Sequence, residues 1–130
     1  MPSLSVIVLN SNGKHLLSDC LSSLCSQRPP DIEILMSITD RPTVTWNTCE
    51  GIFLAFELLR WNEIRGIDAS SAPFITLFNN DAVADQYWAE NLLTAATDPH
   101  VGIVASKVLL FANRSQLDSA GDGMTTVGVA

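Results

Sequence analysis

The constraint that most limits this chain is an alternation near its start. Leu4-Ser5-Val6-Ile7-Val8-Leu9 is a short apolar run rich in β-branched residues, the signature of a strand buried on both faces. Asn10-Ser11-Asn12-Gly13 follows as turn chemistry. The stretch KHLLSDCLSSLCSQ then sets Leu16, Leu17, Cys20, Leu21, Leu24 and Cys25 at helical spacing. Arg28-Pro29-Pro30-Asp31 stops that helix, and IEILM (32–36) reads as a second strand. Strand, helix and strand in this order predict a βαβ unit with parallel strands.

The later chain repeats the theme. PFITLF (73–78) predicts a strand, DQYWAENLLTAATD (85–98) a helix with Trp88, Leu92, Leu93 and Ala96 on one side, and 101–105 a further strand. The expected fold class is α/β, a mainly parallel sheet with flanking helices. A length of 130 residues allows one domain with a real core. A hydrophobic share of 47% against 16% charged residues marks a folded chain. The net charge of −7 argues against a nucleic-acid partner. Cys20, Cys25 and Cys49 lack metal-ligand spacing, and Cys20 and Cys25 read as ordinary helix residues, which suits a reducing compartment. The N-terminal apolar run is too short for a signal peptide and has no basic region before it. Nothing approaches the length of a membrane span.

In open parallel sheets, ligands sit beyond the C-terminal ends of the strands. Two polar clusters are expected there: Asn10 to Gly13 after the first strand, and Asn79-Asn80-Asp81 after PFITLF. Asp81 can ligate a hard cation, Mg²⁺ or Mn²⁺, with the Asn79 amide oxygen assisting. Such a cation would carry a diphosphate. The plain alternative is a strand-ending turn, since Asn and Asp favour turns. His15 and His100 lack a Cys, Ser or second His at useful spacing and read as surface residues.

These segments resemble a known family. LSVIVLNSNGKHLLSDCLSSLCSQ is similar to the opening of family 2 glycosyltransferases of the GT-A fold, and residues 66–123, including FNND and DSAGDG, resemble their rhamnosyltransferase-like branch. The resemblance covers residues 3–35 and 66–123. It implies a metal-dependent, inverting transferase that moves a sugar from a nucleotide-diphospho-sugar to a saccharide or lipid-linked saccharide acceptor in cell-envelope polysaccharide synthesis. It implies that Asn10, Ser11 and Asn12 line the nucleotide pocket and that Asn79 and Asp81 hold the metal and diphosphate. Asn80 shapes the turn between them and borders the nucleotide-sugar. Lys107 and Asp118 fall near the family's donor crevice without an assigned role. The implied place is cytoplasmic, peripheral to the inner membrane face. Family catalytic domains are longer, so 1–130 is expected to be the nucleotide-sugar-binding part, with the acceptor side and catalytic base missing. Asp122, the last acid, reads as a loop residue. Two alternatives stand beside this: an inactive remnant that at most binds nucleoside diphosphate, and an unrelated α/β nucleotide-binding module. The latter is weakened because no G-x-G-x-x-G follows the first strand.

Residues 36–65 depart from the family pattern, which has Val-Asp-Asn-Gly-Ser-Thr-Asp-Gly after the second strand. Taken as protein, the segment suggests an amphipathic or buried helix at about 49–65. Taken as codons, it suggests something else. Joining the third base of each codon to the first two of the next allows Met36 through Val44 to spell V-D-N-G-S-T-D-G. Residues 36 to about 65 are therefore expected to come from a frame-shifted stretch, restored near Gly66, in which Trp46 and Trp61 were never selected for packing. Sequencing the coding DNA checks this: the shifted frame should read V-D-N-G-S-T-D-G over codons 36–44, and any other reading there sinks the idea.

Overall fold

The computed structural model describes residues 1–10, 14–28, 31–38, 54–55 and 67–121. Its first elements are β1 (Leu4–Asn10), α1 (Lys14–Cys25) and β2 (Ile32–Ile38). There follow β3 (Leu54–Ala55), β4 (Phe74–Asn79), α2 (Trp88–Ala96), β5 (Val108–Leu110) and β6 (Asn113–Ser119). The chain divides into two compact units, Met1–Leu93 and Thr94–Ala130.

The first unit is α/β. Its sheet has the order β3-β2-β1-β4, and every pairing in it is parallel. β1 lies between β2 and β4, with Leu4 level with both Ile32 and Phe74. Alternate β1 residues Leu4, Val6 and Val8 share one core with Ile32, Ile34 and Met36 of β2. Ile7 and Leu35, at the intervening positions, are buried as well. That double burial is why β1 reads as a continuous apolar run instead of an alternating one.

α1 turns Leu17, Cys20, Leu21 and Leu24 into the same core, while Leu16 is exposed. Of α2, Ala89 is buried, and Trp88 and Leu93 pack against the core. Phe78 of β4 meets Trp88 edge-on, ring centroids 4.9 Å apart. Cys25, expected as an ordinary helix residue, is half-buried and packs against the same core. Cys20 is free and buried.

Two expected elements differ. Leu54–Ala55 pairs in parallel with Ile34 and Leu35, so a helix does not run unbroken through 49–65; the rest of that segment, with Trp46 and Trp61, lies outside the described residues. No ladder among the described residues includes 101–105. Ile103 there is 92% exposed, and Gly102 has open space around it. A strand needs a partner edge, and in the second unit the antiparallel pairing is made further on. Val108–Leu110 pairs with Asn113–Ser119, and Arg114 stacks on Phe111, 5.9 Å from its centroid. Gly121, two residues past the end of β6, has a φ of 101°, which a side chain would strain.

A buried polar network ties the starts of the strands together. Glu33 on β2 is only 8% exposed. Its carboxylate accepts from the Ser5 hydroxyl of β1 at 2.5 Å, and from the Ser71 backbone N–H at 3.0 Å and hydroxyl at 2.9 Å. The Ser5 oxygen in turn accepts from Ala72 N–H at 3.2 Å. Burial pushes the Glu33 carboxyl up, but the bonds from Ser5 and Ser71 outweigh it and hold the group below its ordinary 4.5. The folded state then binds fewer protons than the unfolded chain below that value. The stabilisation is complete above pH 4.5 and is lost as the pH falls through the lower folded value. Glu33→Gln should lower the unfolding free energy at pH 7 by about 2 kcal/mol, because the Ser71 donors lose acceptors. Urea unfolding at pH 7 and at pH 4 should also show a smaller acid-induced loss in the variant than in the parent.

Candidate functional site

Asn10, the described residue of the first polar cluster, and the second cluster come to one sheet edge because β1 and β4 are parallel neighbours in level register. Leu9 is the partner of Asn79, and Asn10, the last residue of β1, is the partner of Ile38 of β2. Asn10 and the Asn79-Asn80-Asp81 turn therefore stand together at the C-terminal ends of adjacent strands, where parallel sheets place ligands. Ser11 and Asn12 lie outside the described residues.

The turn itself is closed by Ala82 N–H donating to the Asn79 carbonyl at 3.2 Å. Asn79 and Asp81 are exposed and Asn80 is half-buried. The same Asn79 carbonyl accepts from the Cys20 thiol at 3.7 Å, which moors the turn to α1. Burial, and then the negative charge of Asp81, push the Cys20 thiol up to about 11. A thiol so placed is a hydrogen-bond donor at neutral pH and not a nucleophile.

The candidate donor set is hard: a carboxylate from Asp81 and a side-chain amide oxygen from Asn79. Among the described residues no group of three His, Cys, Asp or Glu could hold a metal, so no all-protein cage exists there. The residues fit the alternative mode, in which Mg²⁺ or Mn²⁺ takes one or two protein carboxylates and fills its remaining positions with phosphate oxygens and water.

Lys107 precedes β5 and Asp118 lies on β6, both exposed in the second unit; Asp122 is outside the described residues. His15 is exposed. His100 is exposed and pairs only locally, its Nδ1 3.2 Å from an Asp98 carboxylate oxygen. Both are surface residues, as expected. Among the described residues no helix is long and apolar enough to cross a membrane.

Residues the sequence did not single out build the support. Ser23 and Gln27 of the α1 region bond to the segment after the turn: Ala84 N–H donates to the Ser23 hydroxyl oxygen at 3.0 Å, and Gln27 bonds to Asp85 and Ala89. Only the spacing of Ser23 and Gln27 on the face of Cys20 hinted at this. No known protein family and no curated protein matches this chain.

The Cys20 thiol should resist alkylation in the native protein. A thiol at about 11 in place of 9.0 holds about a hundredfold less thiolate at pH 8. Mass-spectrometric mapping of iodoacetamide adducts should leave Cys20 unmodified in buffer and modified in urea. Rapid native labelling of Cys20 would show that the turn is not moored as described.

Proposed function

We propose that this chain is the nucleotide-sugar-binding part of a family 2 glycosyltransferase of the GT-A fold, in the rhamnosyltransferase-like branch. Its donor is a nucleotide-diphospho-sugar and its acceptor a saccharide or lipid-linked saccharide of the cell envelope. The observation that carries the reading is the level register of β1 and β4, with Leu9 facing Asn79. It brings Asn10 and the Asn-Asn-Asp turn to one edge of a parallel sheet, an arrangement that supports one crevice for a nucleotide and its diphosphate.

In this reading the Asp81 carboxylate and the Asn79 amide oxygen hold Mg²⁺ or Mn²⁺. When bound, the cation neutralises the charge that develops on the departing diphosphate. Asn80 keeps the turn closed against the donor. Asn10, with Ser11 and Asn12, lines the nucleotide pocket at the end of β1. Inversion at the sugar requires a carboxylate that takes the acceptor hydroxyl proton, and no residue of this chain is assigned that role. A cytoplasmic place at the inner membrane face suits a lipid-linked acceptor.

A second reading, a remnant that binds nucleoside diphosphate without transferring sugar, is favoured by one observation. Asp81 is the sole acid in the turn that ends β4, so a metal ligand and a catalytic base cannot both come from it.

Calorimetric titration of nucleoside diphosphates in the presence and absence of Mn²⁺ tests both. Binding should require Mn²⁺ and should weaken at least tenfold, about 1.4 kcal/mol or more, in Asp81→Ala. Turnover of a nucleotide-sugar in the parent chain supports the transferase, and binding without turnover supports the remnant. Absence of any metal-dependent binding overturns the site.

A further inference from the structure

The segment 80–87 that follows β4 has neither helix nor strand, yet its backbone is held at regular intervals by the α1 region. Cys20 donates to the Asn79 carbonyl at 3.7 Å. The Ser23 hydroxyl donates to the Cys20 carbonyl at 2.7 Å and accepts from Ala84 N–H at 3.0 Å. Gln27 makes the last and densest set. Its Nε2 donates to the Ser23 carbonyl at 3.0 Å and to the Asp85 carbonyl at 2.8 Å. Its Oε1 accepts from Ala89 N–H at 3.0 Å. Positions 20, 23 and 27 recur at helical spacing and so share one face of α1 and its C-terminal extension.

Three features set Gln27 apart. Its amide has one orientation that satisfies all three partners: two carbonyls meet the NH₂ group and one N–H meets the oxygen. The Ala89 N–H belongs to the first turn of α2, which lacks an intrahelical acceptor, so Gln27 caps that helix from a distance. The Asp85 carbonyl also accepts from Trp88 N–H at 3.0 Å, so the same bond fixes where α2 begins and where Trp88 meets Phe78. One side chain thus ties the end of α1, the loop and the start of α2 into a single unit.

We infer that Gln27 is the positioning residue of the Asn79–Asp81 turn, holding the loop behind Asp81 so that the turn keeps its place at the sheet edge. Its action on a ligand rests on the metal-diphosphate reading of Asp81 above; its action on the loop does not. The loop packs lightly: Ala82 and Ala84 rest against the core, while Val83, Asp85, Gln86 and Tyr87 are exposed. Beyond that packing and the Arg28 N–H bond to the Gln86 carbonyl at 3.4 Å, side-chain bonds from the α1 region hold it, and local opening of the loop is what Gln27 opposes.

Amide hydrogen exchange read by NMR, together with Mn²⁺ titration of the protein with dTDP as the probe, tests both halves. In Gln27→Ala the Ala84 and Ala89 amides should exchange at least tenfold faster, while Val6 and Ile34 keep the parent's rates. Ser26→Ala is the control, because among the described residues the Ser26 hydroxyl bonds to the Ser22 carbonyl of α1 and to no loop residue. Gln27→Glu keeps an acceptor for Ala89 but turns oxygens toward the Ser23 and Asp85 carbonyls. It should retain slow exchange at Ala89 and lose it at Ala84, and it serves if Gln27→Ala does not fold. Mn²⁺-dependent dTDP binding should weaken at least fivefold in Gln27→Ala and match the parent in Ser26→Ala.

Unchanged exchange in the loop overturns the inference. A uniform rise across Val6, Ile34, Ala84 and Ala89 also overturns it, by showing general destabilisation. Faster loop exchange with unchanged dTDP binding removes the positioning role. If the parent binds no dTDP with Mn²⁺ while the loop still loosens, the diphosphate reading of Asp81 fails and the loop role of Gln27 stands.

Discussion

The described part of the first unit depends on the two ladders of β1. This strand is the only one paired along its full length on one side and nearly so on the other, with β2 and β4. A parallel pair cannot be closed by a tight turn, so each neighbour must be reached by a crossover. The crossover to β2 is α1, and it lays Leu17, Cys20, Leu21 and Leu24 over the apolar face of the sheet. Parallel direction also fixes where polarity can go. With both faces of β1 buried, its polar residues Ser5 and Asn10 are driven toward its ends. Glu33, Ser5 and Ser71 meet at the N-terminal ends. Asn10 and Asn79 meet at the C-terminal ends. The first group is satisfied internally, and among the described residues no buried side-chain nitrogen or oxygen lacks a partner. The second is open to solvent at Asn79 and Asp81, which is what separates the internal network from the candidate site.

The first βαβ unit was legible in the sequence because its signals are local. A β-branched run, a turn and a 3.6-residue apolar period each need only neighbouring residues, and they appear as β1, α1 and β2 within a residue or two. The strand of PFITLF was legible for the same reason, and its end at Asn79 put the Asn-Asn-Asp turn where the residues predicted. The run at 101–105 misled because an apolar β-branched run states a propensity and not a partner. Its neighbour Val108–Leu110 found Asn113–Ser119 instead. Glu33 and Gln27 were not legible at all. Their partners lie far along the chain, Ser71 for one and Asp85 and Ala89 for the other, and no spacing rule reaches that far. Cys20 was legible only as an apolar helix position. Its bond to the Asn79 carbonyl belongs to the same long-range class.

β4 shows how the site is held although its strand is weakly packed. Phe74, Ile75 and Leu77 are 40%, 41% and 50% exposed, and Phe78 alone is buried. A strand with one well-covered residue has little to choose between registers from packing. The choice is made at its two ends. Glu33 binds Ser71 before the strand begins, and α1 binds Asn79, Ala84 and Asp85 after it finishes. The polar edge thus takes its geometry from hydrogen bonds that lie outside the ladder. A carboxylate on β2 and three side chains along α1 do for β4 what a core would do for a central strand.

The charge balance limits how such an edge could take an anion. The chain has 14 acidic against 7 basic residues. At the described strand ends, Asn10, Asn79 and Asn80 are neutral, and Asp81 is negative. Lys14, at the start of α1, is the nearest base along the chain from Asn10. Bringing a diphosphate beside Asp81 sets like charges together, at about 1 kcal/mol per pair at 4 Å in water and more where water is thinned. One lysine does not offset a group of that charge. A divalent cation reverses the sign of the interaction, because Asp81 and the diphosphate then share a positive centre between them. The metal dependence proposed for this edge rests on that charge balance: the acid that repels a bare diphosphate is the group that would recruit it once a cation is present.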